Sequence, residues 1–148
     1  MALIAATAVA AIERACARLV LRSIRAFDER DWQGYASLFT QDGVFIRANA
    51  PGEPLTGREA IRVALAARSA SRLTRHFCTN IEIDVLDARH ARGLCYLLLY
   101  AGDASLPESV AGRPADGVQR VGEYRDTFVR TEDGWRIGRR EGRLVFSQ

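Results

Sequence analysis

The sequence predicts an α+β domain: a curved, largely antiparallel sheet with its helices gathered on one face. Three observations predict it. An amphipathic helical stretch opens the chain, four strand-like runs follow one another in its second half, and no repeated strand-helix alternation suggests a parallel doubly wound sheet. A strongly bent sheet facing a long helix leaves space between them, so a pocket is the expected product of this architecture. With 148 residues the chain is one domain, 1–148, long enough to bury a core.

From about Thr7 to Arg30, Ile12, Cys16, Leu19, Val20, Ile24 and Phe27 recur three and four residues apart with arginines between them, which is the pattern of an amphipathic helix. Asp31 is a plausible N-cap for a short helix over Trp32 to Phe39. The Asp42-Gly43 turn then leads into a strand from Val44 to Arg47. The segment ANAPGEPLTG, with two prolines, is expected to be a loop. Thr56 and Glu59 have capping-box spacing, so a further helix is predicted from about Gly57 to Ala70. Strands are expected at about 75–86, 92–101, 119–130 and 135–146, the last two joined by a hairpin at Asp133-Gly134. The segment DASLPESVAGRPADG between the second and third of them is a long loop.

Composition removes several classes of function. Glu13, Arg14, Arg18 and Arg22 interrupt the apolar N-terminal stretch, so no run reaches the roughly 20 residues of a membrane span. No positive region precedes that stretch as in a secretory signal, and a soluble, cytoplasmic protein is expected. All 21 basic residues are arginine, which excludes a Schiff-base lysine and the lysine of a phosphate-binding loop. The net charge of +3 is spread among acids, which speaks against a nucleic-acid partner and assigns most arginines to solvated surface. Cys16, Cys78 and Cys95 are expected to be small buried thiols, and two histidines with no close pairing provide no metal motif. No cofactor or metal is expected, and no nucleophile elbow or dinucleotide fingerprint occurs.

Asp28 and His76 are the candidate acid-base pair. Ala17, Leu21, Ile24 and Asp28 share one helix face, which can extend an apolar stripe with an inward carboxylate; an exposed acid near the helix end is the alternative. His76 has the side chain whose ordinary pKa lies near neutrality, and a buried carboxylate beside it would orient its ring. Strict alternation, however, puts His76 on the face of Asn80, Glu82 and Asp84, opposite Ile81, Ile83 and Val85. It faces inward only if a bulge intervenes between the two groups. His90, in DARHARG, belongs to a solvent-facing turn.

Phe27, Tyr96, Tyr124 and Phe128 are the candidate side chains around a small apolar or aromatic ligand. GLCYLLLYAG is apolar on both faces, with Tyr96 and Tyr100 on one and Cys95, Leu97 and Leu99 on the other, so one face is expected to be covered by a second copy in a homodimer. Arg139, Arg140, Glu141 and Arg143 are expected to form cross-strand charge pairs.

Three segments in this order, FDERDWQGYASLFTQDGVF, RHFCTN and EYRDTFVRTEDGWRIGRREG, resemble the nuclear-transport-factor-2-like superfamily, and within it the SnoaL-like branch that includes scytalone dehydratase and bile-acid dehydratases. The resemblance runs from about Ala10 to Leu144. It implies a cystatin-like, cone-shaped fold, with a pocket between a bent sheet and three helices, usually in a homodimer. It also implies an aspartate late in the first helix supporting a histidine at the start of a strand, which match Asp28 and His76. The chain departs from scytalone dehydratase in having no histidine around LLLYAG and in having Phe27 at a tyrosine-like position. A lyase or isomerase acting on a cyclic or aromatic carbonyl compound, a non-enzymatic ligand-binding protein, and an accessory subunit resembling the small subunit of aromatic-ring dioxygenases all remain open.

Overall fold

A computed structural model describes residues 5–147. Helix α1 (Ala6–Asp28) buries Ile12, Cys16, Leu19, Val20, Ser23, Ile24 and Phe27. Leu21 is 49% exposed while the Asp28 side chain is only 10% exposed, so the face the two share is covered only at the end of α1, where β3 contacts Asp28. Asp31 caps α2 (Trp32–Ser37), its side chain accepting a hydrogen bond from the Gly34 backbone N–H. Strand β1 (Phe39–Arg47) follows and pairs with β2 (Ala50–Thr56). Because β2 lies in the segment expected to be a loop, its two prolines are informative: an edge strand needs no ladder donor on its outer side, and β2 is an edge.

Helix α3 (Arg58–Ala66) is shorter than expected, and Gly57 caps it instead of Thr56, with no side-chain capping bond. Gly57 has φ 89°, a conformation that favours glycine. The rest of the chain is β3 (Arg72–Val85), β4 (His90–Asp103), β5 (Arg120–Thr131) and β6 (Gly134–Ser147), joined as antiparallel neighbours. Residues 104–119 join β4 to β5 and lie beside β4 through a bridge from Ala115 to Gly102.

The six strands run in the order β2-β1-β6-β5-β4-β3, and β1 lies parallel to β6. This corrects the expectation of a strongly bent, cone-shaped sheet. The sheet is mixed and open, neither closed nor strongly curled: β2 pairs only with β1 and β3 only with β4, so its two edges never meet. Closure needs a strand tilt and stagger carried all the way round, which an open sheet with two free edges does not have. The architecture is α+β with three helices; α1 packs on β3, β4 and β6, and α3 on β1 and β2.

Two bulges decide which side chains meet the helices. In β3 the register against β4 shifts between Thr79 and Glu82, where Asn80 adopts φ 51°. In β6 it shifts opposite Thr127 and Phe128, with Gly138 as the extra residue. A Cβ on Gly138 would come within 3.2 Å of Val129 and 3.3 Å of the Thr127 hydroxyl, so glycine relieves crowding there. After this bulge Arg140 turns to the same buried side as Trp135 and Ile137.

Candidate functional site

Asp28 is the last residue of α1, where a carboxylate faces the negative end of the helix dipole. Three hydrogen bonds from β3 compensate. The His76 ring Nδ1 lies 2.6 Å from Asp28 Oδ1, the His76 backbone N–H donates to Oδ2 at 2.9 Å, and Thr74 Oγ1 donates to Oδ1 at 2.8 Å. Both side chains are nearly buried, His76 at 8% and Asp28 at 10% exposure. Burial alone would raise the Asp28 carboxyl, but the bonds from the His76 ring and backbone, its charge and Thr74 hold it below the usual carboxylate range. An ionised Asp28 accepts the Nδ1 proton, which fixes the ring tautomer and leaves Nε2 for chemistry.

The bulge at Asn80 explains the geometry. Thr74, His76 and Cys78 take the helix side of β3; after the register shift Ile81, Ile83 and Val85 take the same side. The sequence alternation that counted against an inward His76 is interrupted at that point.

His76 opens on a cavity of about 330 Å³ at the C-terminal end of α1. Phe27 lines it, its ring edge-on to the His76 ring with centroids 5.2 Å apart, and Leu97, Leu99 and Tyr124 contribute from β4 and β5. Asp28 is not on the cavity wall; it lies behind His76 as the group that holds the ring. Of the four residues assigned to the ligand, Phe27 and Tyr124 line the cavity. Phe128 does not: it is 1% exposed inside the core. Tyr96 is 47% exposed on the outer face of the sheet, because successive side chains of β4 alternate and Cys95 and Leu97 take the inner face.

Sequence reasoning missed two features. Five arginines, Arg47, Arg68, Arg72, Arg120 and Arg143, reach the cavity with a single carboxylate, Glu123. Arg47, Arg68, Arg72 and Arg120 are only partly exposed and so depart from the solvated surface to which composition assigned most arginines, while Arg143 stays exposed; nothing in their local sequence separates them from surface residues. Second, Arg140 does pair across strands, but in the interior: it is fully buried and donates to Asp126 from Nε at 2.8 Å and from Nη2 at 2.6 Å, and from Nη1 to Ser23 Oγ on α1 at 2.6 Å. Its Cζ lies 4.4 Å from the centre of the Tyr124 ring, which anchors that cavity residue. Burial pushes the Tyr124 phenol up, so it stays a neutral hydroxyl.

His90 is exposed at the start of β4 beside Asp87, with Nδ1 2.9 Å from Oδ2. Cys16 and Cys95 are buried, Cys78 is half-buried, and all three are free thiols. Among the described residues no group of three or more His, Cys, Asp and Glu side chains is placed to hold a metal ion, and no helix is long and apolar enough to cross a membrane.

Comparison with known proteins gives a consistent picture. The SnoaL-like domain profile matches residues 8–141. A protein from Catenulispora acidiphila is 31% identical, with a TM-score of 0.70 over 91% of this chain and 92% of that one. A putative scytalone dehydratase from Novosphingobium aromaticivorans is 24% identical, with a TM-score of 0.81 over 97% of this chain and 91% of that one. A hexachlorocyclohexane dehydrochlorinase from Novosphingobium barchaimii shares the fold at 16% identity, with a TM-score of 0.79 over 97% of this chain and 93% of that one. No curated protein sequence matches the chain.

Proposed function

Because the chain belongs to the SnoaL-like domain family, we propose that its cavity is the site of a cofactor-independent lyase or isomerase acting on a small cyclic or aromatic carbonyl compound. The observation that carries this reading is the 2.6 Å contact between Asp28 and His76 at the wall of a partly apolar cavity. The names of two similar structures, a putative scytalone dehydratase and a hexachlorocyclohexane dehydrochlorinase, both denote eliminations, and they support the lyase form of the reading. With a single histidine at the cavity, the arrangement is closer to the bile-acid type of dehydratase than to the two-histidine type.

In the proposed reaction His76 Nε2 removes the proton beside the carbonyl of a β-hydroxy ketone. The C–H electron pair passes through the enolate into a new C=C bond as the C–O bond to the hydroxyl breaks. The imidazolium then returns its proton to the departing hydroxide, so that water leaves and the ring is neutral again. Ionised Asp28 stabilises the imidazolium between the two transfers. Returning the proton to a different carbon makes the same apparatus an isomerase. Phe27 and Leu97 offer apolar contact to a ring, and the Tyr124 hydroxyl is a neutral donor within the same cavity.

A homodimer through the outer face of the sheet accompanies this reading, supported by the exposure of Phe77 and Tyr96 there. The test of function is turnover of hydroxylated cyclic ketones, followed as enone absorbance, by the wild-type protein and His76→Ala. Elimination lost in the variant supports the reading. Tight binding without turnover of any candidate favours a ligand-binding protein instead.

A further inference from the structure

The cavity wall carries a surplus of positive charge that the proton-transfer chemistry does not use. Three of its five arginines have acidic partners: Arg47 with Glu53 at 3.2 Å, Arg72 with Asp116 at 2.6 Å, and Arg143 with Glu123 at 3.8 Å. Arg68 differs. No carboxylate among the described residues reaches its half-buried guanidinium, and its charged neighbours are Arg30, Arg47 and Arg72. Burial comes first in pushing its pKa down, and repulsion from Arg72 and Arg30 adds to it. A half-buried cation among like charges and without a counter-ion is disfavoured, and a bound anion is the natural remedy.

Its placement is built rather than accidental. Arg30, at φ 60° just beyond α1, donates to the backbone carbonyls of Ser69 at 2.8 Å, Arg72 at 3.3 Å and Arg68 at 3.4 Å, which ties down the segment carrying Arg68. The Arg68 guanidinium Cζ lies 5.1 Å from the Phe27 ring centre. The same Phe27 ring touches His76, so one aromatic ring bridges the cation and the candidate base. A guanidinium resting against an aromatic ring keeps N–H donors at its edge, the geometry that suits a two-oxygen anion.

We propose that this cavity takes its substrate as a carboxylate-bearing cyclic or aromatic compound, with the carboxylate held by Arg68 and the ring on Phe27, which sets the reacting carbons beside His76. The substrate class rests on the reading of this cavity as the site of the acid-base reaction; the anion recognition itself needs no turnover. Arg72 and Arg120 strengthen the local positive potential, and Glu123 is held back by Arg125 at 3.1 Å and Arg143.

The test is calorimetric titration of the full chain with 2-naphthoate and with its neutral isostere 2-naphthamide at low salt. The wild-type protein should bind the acid about 10- to 100-fold more tightly than the amide, the range expected for a charge-assisted, two-point contact. Added sodium chloride should narrow the gap. Arg68→Gln should abolish the preference and Arg68→Lys, which keeps charge without the planar fork, should retain part of it, with thermal melting showing that each variant is folded. Arg92→Gln, whose native partner is Asp84 outside this cavity, should leave the preference intact. Equal binding of acid and amide, survival of the preference in Arg68→Gln, or no binding of either at millimolar concentration overturns the inference. His76→Ala separates it from the proposed reaction: that variant should lose turnover of hydroxylated ketones while still preferring naphthoate, so either result can fail alone.

Discussion

One carboxylate grips His76 twice: Asp28 Oδ1 meets the ring Nδ1 at 2.6 Å, and Asp28 Oδ2 accepts the backbone N–H of the same histidine at 2.9 Å. The ring is oriented by the group that also fixes the strand beneath it. A second site on β3, Thr74, adds a hydroxyl to the same carboxylate.

Replacing Asp28 with Asn removes the carboxylate that holds the His76 ring through Nδ1 while keeping the side chain's size. Turnover of a hydroxylated cyclic ketone should fall about 100- to 10,000-fold in Asp28→Asn and in His76→Ala, the usual worth of general acid-base assistance. Circular dichroism should show an unchanged fold. Full activity in both variants removes the proposed mechanism.

The same carboxylate makes stability depend on acid. Its pKa in the folded chain lies below its ordinary value, chiefly through the bonds from His76 that outweigh burial. Its contribution is therefore complete above the unfolded value of about 3.9 and is lost as pH falls through the folded value. In the carboxylate range the gap between urea melts of the wild type and Asp28→Asn should close as pH falls below about pH 4. A gap that widens in acid contradicts the assignment.

Arg140 and Asp126 are 0% and 2% exposed, and they join β6, β5 and α1 through Ser23. Asp126→Ala leaves the guanidinium buried without its counter-charge and should cost about 3–5 kcal/mol. At about 2–4 °C per kcal/mol for a chain of this size, the melting temperature should drop by roughly 6–20 °C. The double variant Arg140→Met with Asp126→Leu should recover much of the loss, since apolar groups leave no orphaned charge. An equal drop in both variants argues against that account.

The bulge in β3 rests on Asn80 at φ 51°. Asn80→Gly should change stability by less than about 0.5 kcal/mol, because glycine adopts this conformation freely. Asn80→Val should cost about 1–3 kcal/mol, since a β-branched residue is strained there. Equal stabilities measured by chemical denaturation show that the bulge does not depend on this residue.

On the outer face of β3 and β4, Phe77 is 58% and Tyr96 47% exposed, and Phe77 lies edge-on to Tyr100 at 6.1 Å. Sedimentation at micromolar concentration is expected to give about twice the 16.4 kDa chain mass. Phe77→Asp with Tyr96→Asp should shift the species to a monomer. A wild-type monomer at every concentration rules out the dimer.

By itself the sequence determined the elements whose evidence is local. The three-four spacing from Ile12 to Phe27 specified α1, Asp31 specified the start of α2, and Asp133-Gly134 marked the last hairpin, because each depends on residues a few positions apart. The pairing of FDERD with TRHF pointed to Asp28 and His76 through resemblance, while strict alternation pointed the other way. Only the tertiary structure decided between them, because a bulge at Asn80 changes the face of every side chain on one side of it without changing the apolar pattern on the other. The open sheet, the interior position of Arg140 beyond the Gly138 bulge, and the convergence of five arginines on one cavity were likewise tertiary outcomes. An arginine has the same local sequence signature whether its guanidinium meets water, a carboxylate on a distant strand or the wall of a cavity, and long-range register alone separates these cases.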